Sequence, residues 1–337
     1  MTGQNKRIAV QRAASLMLLP PLLTEFGVGM EAVLQGTGVA ANQLRPDAFI
    51  PYAAYVAILD NACRLTGHVD IGLQLGQRQT LSALGPLGVV MRHAATLGEA
   101  LAAFVAFQIN NSTGGAVYLL RGERDVILGY GVYDASVRVS PQLYDLVLAV
   151  GCKLIAELTG GAGAPEELLL SRVMPDDPGP YLRLARCPVR FRQNQTGVVL
   201  SVKTLALPLP DADATLHGRA LARLQMAVGG APLDTSGHVR HVLRSLLLTG
   251  QAGMEDVAAR LGLHSRALRR RLRQEGTTFE AIKDEVRHAA ARELLMLGDL
   301  GITDIAITLD YASASSFVHA FRRWNGVSPG QWRQQMT

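Results

Sequence analysis

The stretch EDVAARLGLHSRALRRRLRQ, residues 255–274, restricts the folds open to this chain more than any other. It carries five arginines and no acid between positions 266 and 273. On a helical wheel advancing about 100° per residue, with Arg266 at zero, Arg269, Arg270 and Arg273 fall at roughly 300°, 40° and 340°. Leu268 and Leu272 fall at roughly 200° and 240°, so one helix has a cationic face and an opposite apolar one. Arg271, at roughly 140°, lies off the cationic face and is expected to meet an acid or a phosphate. Gly262 permits a sharp turn, and Val257, Ala258 and Leu261 are the inward set of a shorter helix before it. Ser265 or His264 is placed to cap the arginine helix. Two helices joined in this way, one face on a core and the other offered to a polyanion, have the geometry that lays side chains into the DNA major groove.

A second unit of the same kind follows. Ile302, Ile305, Ala306 and Leu309 recur at i, i+3, i+4, i+7, with Thr303 as the expected N-cap. Asp310-Tyr311-Ala312 is the turn. The next helix is expected to bury Phe317, Ala320, Phe321 and Trp324 and to turn Ala314, Ser315, Val318, His319 and Arg322 outward. Asn325-Gly326 ends it, and a short helix begins near Gln331. Between the units, residues 280–297 form a long helix of roughly 27 Å, with Ile282, Val286, Ala289, Ala290 and Leu294 as its apolar stripe. Successive major-groove segments on one face of B-DNA lie about 34 Å apart, so the spacing suits two of them.

Charge supports this division. The chain of 337 residues has a formal charge of +5. Residues 235–337 hold 14 Lys+Arg against 10 Asp+Glu, whereas the remaining 234 residues hold 19 against 18. The length suits two domains, and 48% hydrophobic with 18% charged residues excludes a disordered chain. Cys63, Cys152 and Cys187 have neither paired nor metal-ligand spacing, so reduced thiols are expected. The apolar run 16–23 behind Lys6, Arg7 and Arg12 is broken by Pro20 and Pro21. No apolar stretch reaches the roughly 18 residues of a membrane span. A cytoplasmic protein with no membrane association is expected.

The N-terminal two-thirds has a different texture. A helix over 47–65 is predicted, with Ile50, Tyr55, Ile58, Leu59 and Ala62 inward. Helices over 89–93 and 97–110 follow, the second opened by the Thr96/Glu99 capping-box pattern. Residues 116–121 and 126–132 read as a hairpin, Pro141 to Leu158 as a strong helix, and 168–173 and 197–202 as strands around a helix near 181–186. The class is α+β. LPLPDAD at 207–213 and Gly229-Gly230-Ala231-Pro232 bracket a lone helix near 214–228, as at a domain boundary. The expected organisation is an α+β domain over 1–213, a connector over 214–234, and an all-α domain over 235–337 with two helix-turn-helix units joined by a long helix.

The order AARLGLHSRALRRRLRQEGTTF, then VRHAAARELL, then IAITLDYASASSFVHAFRRWNGVSPGQWR resembles the AraC/XylS family of transcription regulators over about residues 237–333. The first two-thirds resembles, through LGPLGVVMRHAATLGEAL and through CPVRF followed by LPLPDAD, the sensor domain of the subgroup with ornithine- and arginine-responsive regulators. The resemblance implies an effector-binding and dimerisation domain over 1–213 and a double helix-turn-helix DNA-binding domain over 235–337. It puts base and backbone contacts on Arg266, Arg269 and Arg270 in the first unit and on Ala314, Ser315 and His319 in the second. Ser265, Arg273 and Arg322 join them by position on the two helices. Asp310 stands where the family usually has Gly, and His319 where it usually has Arg. Both departures leave open whether the second unit reads bases or holds only phosphates.

Enzyme signals fail on context. Gly326-Val327-Ser328-Pro329-Gly330 spells a nucleophile elbow, but a helix precedes it and Pro329 follows the serine, where the elbow needs a strand and then a helix. His238 and His241 lack a third metal ligand. No catalytic residue, metal or cofactor is expected. Arg92, Asn110 and Tyr133 are polar groups beside apolar runs and are the candidate effector contacts. The expected function is a sequence-specific regulator of transcription, a homodimer on double-stranded promoter DNA that meets RNA polymerase and answers to a small-molecule effector. The alternative is an effector-independent dimeric regulator whose first domain only dimerises.

Overall fold

The computed structural model describes residues 8–228, 234–297 and 300–336. Lys6, Arg7 and the Gly229-Gly230-Ala231-Pro232 segment lie outside the described residues. Strand β1 (Val10–Arg12) is followed by two short helices, α1 (Leu19–Glu25), which carries Pro20 and Pro21 in its first turn, and α2 (Met30–Leu34). Proline is tolerated at that position because those N–H groups have no helical acceptor. The helix predicted over 47–65 begins late. Pro51 disfavours a helical backbone at Ile50, so β2 (Phe49–Pro51) stays extended and pairs antiparallel with β1, and α3 runs Tyr52–Thr66. The inward set Ile50, Tyr55, Ile58, Leu59 and Ala62 is buried.

Helices α4 (Ile71–Gln77), α5 (Pro86–Arg92) and α6 (Leu97–Phe107) complete the helical layer. Thr96 Oγ1 accepts the Glu99 N–H at 3.3 Å, the first half of the expected capping box, while the Glu99 carboxylate accepts from the Ala95 N–H at 3.1 Å and not from that of Thr96. Helix α6 ends three residues early in a 3-10 turn, Gln108–Asn110. The hairpin is β3 (Gly115–Arg121) and β4 (Asp125–Val132). Helix α7 (Pro141–Leu158) matches its prediction, opened by Ser140 as N-cap and Pro141 at its first position.

There follow β5 (Glu167–Leu169), α8 (Gly179–Ala185), β6 (Val189–Arg190) and β7 (Thr196–Ser201). The strand predicted over 168–173 stops at Leu169, where the Ser171 N–H turns to Thr196 Oγ1 at 3.1 Å. The five strands lie in the order β3-β4-β7-β5-β6, antiparallel except for β5 with β6. Helix α7 crosses the sheet, and the largest core cluster joins both to the helical layer.

After α9 (Val202–Leu205), α10 (Ala214–Val228) is capped by Asp213 Oδ1, which accepts from Thr215 and Leu216 N–H at 2.8 Å each. It packs on α5, where His217 Nδ1 lies 3.0 Å from the Val90 carbonyl oxygen. The rest is helical: α11 (Thr235–Leu246), α12 (Met254–Arg260), α13 (Ser265–Gln274), α14 (Phe279–Leu297), α15 (Ile302–Thr308), α16 (Ala314–Asn325) and α17 (Pro329–Met336). Helix α15 is capped by Gly301, not Thr303, which lies one position inside it.

Candidate nucleic-acid interface and sensor cavity

Helices α12 and α13 meet at Gly262, whose φ of 64° is left-handed and cheap only for glycine. The Leu263 N–H closes the turn on the Ala258 carbonyl at 2.9 Å. The residue before α13 is His264, and its side chain makes no capping bond, so Ser265 is the first helical residue and not the cap. Leu268 and Leu272 are buried, and Arg266, Arg269, Arg270, Arg271 and Arg273 are exposed. Among the described residues none of these arginines forms an ion pair with an acid; Arg269 Nη2 donates to Met254 Sδ at 3.7 Å. The predicted cationic face therefore exists, and among the described residues no acid neutralises it.

The second unit repeats the turn with another residue. Asp310 takes φ 59°, and the Tyr311 N–H reaches the Ala306 carbonyl at 2.9 Å. Helix α14 supports it: Lys283 Nζ lies 2.8 Å and Arg287 Nη2 3.1 Å from Asp310 Oδ2, and the Arg287 guanidinium sits 4.3 Å from the Tyr311 ring centre. Ser313 Oγ caps α16 by accepting the Ser316 N–H at 3.1 Å. Phe317, Ala320 and Phe321 are buried, Ser315, His319 and Arg322 are exposed, and Ala314 is half-buried.

The first unit is built into the α+β domain. Ala116 and Tyr133, next to or within the hairpin, share one core with Val239, Leu243, Val257, Leu268 and Ile282. Above it lies an ion pair that sequence reasoning missed. Arg244 on α11 and Glu293 on α14 are 1% exposed each, with Nη2 to Oε2 at 2.8 Å. Arg244 Nε also donates to the Val132 carbonyl at the end of β4, at 3.1 Å. Gly131 makes room for it, since a Cβ there would stand 2.4 Å from the guanidinium carbon. Arg292 Nη1 donates to the Ala135 carbonyl, and the Tyr133 and His241 rings meet edge to face at 6.0 Å.

A cavity of about 120 Å³ lies between the sheet and α7, walled by Leu128, Tyr130, Leu146, Val147, Gly151 and Val198. A second, of about 60 Å³, shares Gln11, Ser15, Leu84, Asn111 and Val150 with it and adds Arg12. The candidate effector residues lie elsewhere. Arg92 is paired on the surface with Glu157 (2.6 Å) and Asp211 (3.2 Å). Asn110 is half-buried, and Tyr133 belongs to the joint with α11. None of the three lines either cavity. The sequence analysis missed this cavity; the one local signal that could have found it is Gly151 in the middle of α7, a glycine that costs about 1 kcal/mol against alanine in a helix and lines the cavity.

Two helix-turn-helix units on a helical scaffold behind an α+β domain define a DNA-binding regulator of transcription. Residues 27–209 match the model described as the arabinose-binding N-terminal domain of AraC transcription regulators, and residues 257–335 match a helix-turn-helix domain. The chain belongs to the AraC family of transcription regulators. It is 27% identical to the HTH-type transcriptional regulator VirS of Mycobacterium tuberculosis over 96% of each chain. It is 26% identical to the ornithine utilization regulator of Pseudomonas aeruginosa over 93% of each. The crystal structure of the transcriptional regulator CdpR from Pseudomonas aeruginosa aligns over 90% of this chain and 96% of that one, with a TM-score of 0.44 and 26% identity. No helix of the described residues is long and apolar enough to cross a membrane.

Proposed function

We propose that the chain is a homodimeric regulator that grips promoter DNA with α13 and α16 and that a small molecule in the α+β domain adjusts the grip. The observation that carries the DNA reading is the exposed arginine face of α13, unpaired with any acid among the described residues and fixed by Leu268 and Leu272 in the core. In this reading Arg266, Arg269 and Arg270 meet base edges and phosphates, and Ser265 and Arg273 flank them on the DNA backbone. Ala314, Ser315, His319 and Arg322 line the second groove segment. Arginine is the commonest reader of guanine, while most contacts in such interfaces go to phosphate. RNA polymerase is the downstream partner.

Effector control is supported by the route from cavity to joint. Leu128 and Tyr130 of β4 wall the larger cavity, and Gly131 and Val132, next along the strand, carry Arg244. An occupant that shifts β4 changes the seat of the first helix-turn-helix unit, so ligand and DNA share a coupling free energy. The test is operator binding by fluorescence anisotropy with and without a fractionated metabolite pool, alongside sedimentation of the free protein. Operator affinity that changes with one fraction supports the reading. Indifference to every fraction would leave a dimer that binds DNA without an effector, and a monomer on the operator would remove the dimer.

A further inference from the structure

We infer that the two adjoining cavities form one site for a small monocarboxylate with an apolar body, its carboxylate at Arg12 and its body against α7 and β4. The inference rests on the reading of the α+β domain as a sensor and names the chemistry sensed. The larger lobe is nearly all hydrocarbon wall. An apolar cavity of about 150 Å³ holds a benzene-sized guest, so the lobe of about 120 Å³ fits a short chain or a small ring.

Most polar side chains around that lobe already have partners. Gln11 Nε2 donates to the Arg12 carbonyl at 3.3 Å, the Ser15 and Tyr55 hydroxyls bond each other at 2.8 Å, and Tyr130 bonds Tyr52. Thr196 Oγ1 serves Ser171. Only Gln108, among the described lining residues, has a buried side-chain oxygen without a partner. A sugar would leave most of its hydroxyls unpaired there, at a cost for each.

The smaller lobe supplies the charge. Arg12 is half-buried, lines that lobe, and has no ion pair among the described residues; Nη1 donates to Asn111 Oδ1 at 3.3 Å. Its place is built: Gly85 has φ 59°, and a Cβ there would fall 2.3 Å from Nη1. A half-buried guanidinium without an acid is an anion site, and its planar fork matches a carboxylate. Among the described residues, neither lobe is lined by an aspartate or a glutamate, so a ligand ammonium finds no counter-charge there. An amino acid such as ornithine is thereby disfavoured.

Calorimetric titration of the full chain with hexanoate, hexan-1-ol and L-ornithine tests this. Hexanoate should bind about tenfold more tightly than hexan-1-ol, the size of one charge-assisted hydrogen bond, and ornithine should not bind. Arg12→Gln should bring hexanoate down to the level of hexan-1-ol while leaving hexan-1-ol binding in place, which also reports an intact fold. Val147→Phe, which fills the larger lobe, should remove both ligands without loss of the cooperative melt. Equal affinity of the wild type for the acid and the alcohol, binding of ornithine, or hexanoate binding untouched by both variants would overturn the inference. The two proposals fail separately: hexanoate binding with no effect on operator affinity leaves the site and removes the gating.

Discussion

The two helix-turn-helix units share a plan and differ in what holds them. A shift of 49 residues sets Leu268 on Phe317 and Leu272 on Phe321, and it sets Arg266, Arg270 and Arg273 on Ser315, His319 and Arg322. The first unit thus presents three guanidiniums where the second presents a hydroxyl, an imidazole and one guanidinium. The first also shares its core with Ala116 and Tyr133 of the α+β domain, while the core of the second, around Ile305, Phe317 and Trp332, contains only residues of α14 and beyond. Under the proposed function, the unit that shares its core with the α+β domain would also make the stronger DNA contacts. The second unit, at the far end of α14, would bring less cationic charge to DNA than the first.

The largest effect expected from this comparison lies at the joint. Arg244→Leu or Glu293→Leu leaves one buried charge alone and should cost about 3–5 kcal/mol in chemical denaturation. The double replacement should cost less than either single change, because two desolvated charges disappear together. Single variants within about 1 kcal/mol of wild type would mean that the joint opens to water and that the first unit is not seated on the sensor.

Next in size is the asymmetry on DNA. Arg269→Ala should lower preference for the operator over random DNA by about 1–3 kcal/mol, and His319→Ala by clearly less. Equal losses on operator and random DNA would make Arg269 a phosphate contact, and a larger loss from His319→Ala would reverse the assignment of the two units.

Acid should weaken the joint before it weakens the second unit. Burial, with His238 adding to it, lowers the pKa of His241 from its ordinary 6.5 to about 4. A base depressed by folding gives stability that is present above its unfolded pKa and is lost as pH falls through the folded value. Stability should therefore fall between about pH 6.5 and 4, on the order of 1 kcal/mol by pH 5.5. His241→Gln should flatten that limb. An unchanged slope in the variant would place the acid sensitivity elsewhere.

What was legible in the sequence follows the range of the forces involved. Helices α7 and α10 and the hairpin were readable because periodicity, Pro141, the proline- and glycine-rich segments around α10 and the turn between the hairpin strands are local signals. The arginine face of α13 was readable for the same reason. Strand β1 and its pairing with β2 were not, since three residues carry no periodicity and the partner lies about 40 positions away. Arg244 and Glu293 are 49 residues apart and each sits in an ordinary amphipathic helix. Nothing local marks them as partners. The cavity depends on what several elements fail to fill, so it was not read from the sequence, where Gly151 is its one local mark.

The smallest effect concerns the turn itself, and it separates backbone from charge. Asp310 occupies a left-handed conformation that Gly262 adopts without strain in the first unit. For a residue with a Cβ that conformation costs roughly 1–2 kcal/mol, least for Asn and Asp. Against this stand two partly exposed ion pairs, to Lys283 and Arg287, each worth about 0–1 kcal/mol. Asp310→Gly removes both the strain and the pairs and should fall within about 0.5 kcal/mol of wild type. Asp310→Ala keeps the strain and loses the pairs, so it should cost about 1–2 kcal/mol. Thermal melts of the two variants, read against wild type, give the backbone contribution as their difference. If glycine proved as costly as alanine, the carboxylate and not the backbone would be what the second turn requires, and the two units would be held by different physics at the one place where their geometry agrees.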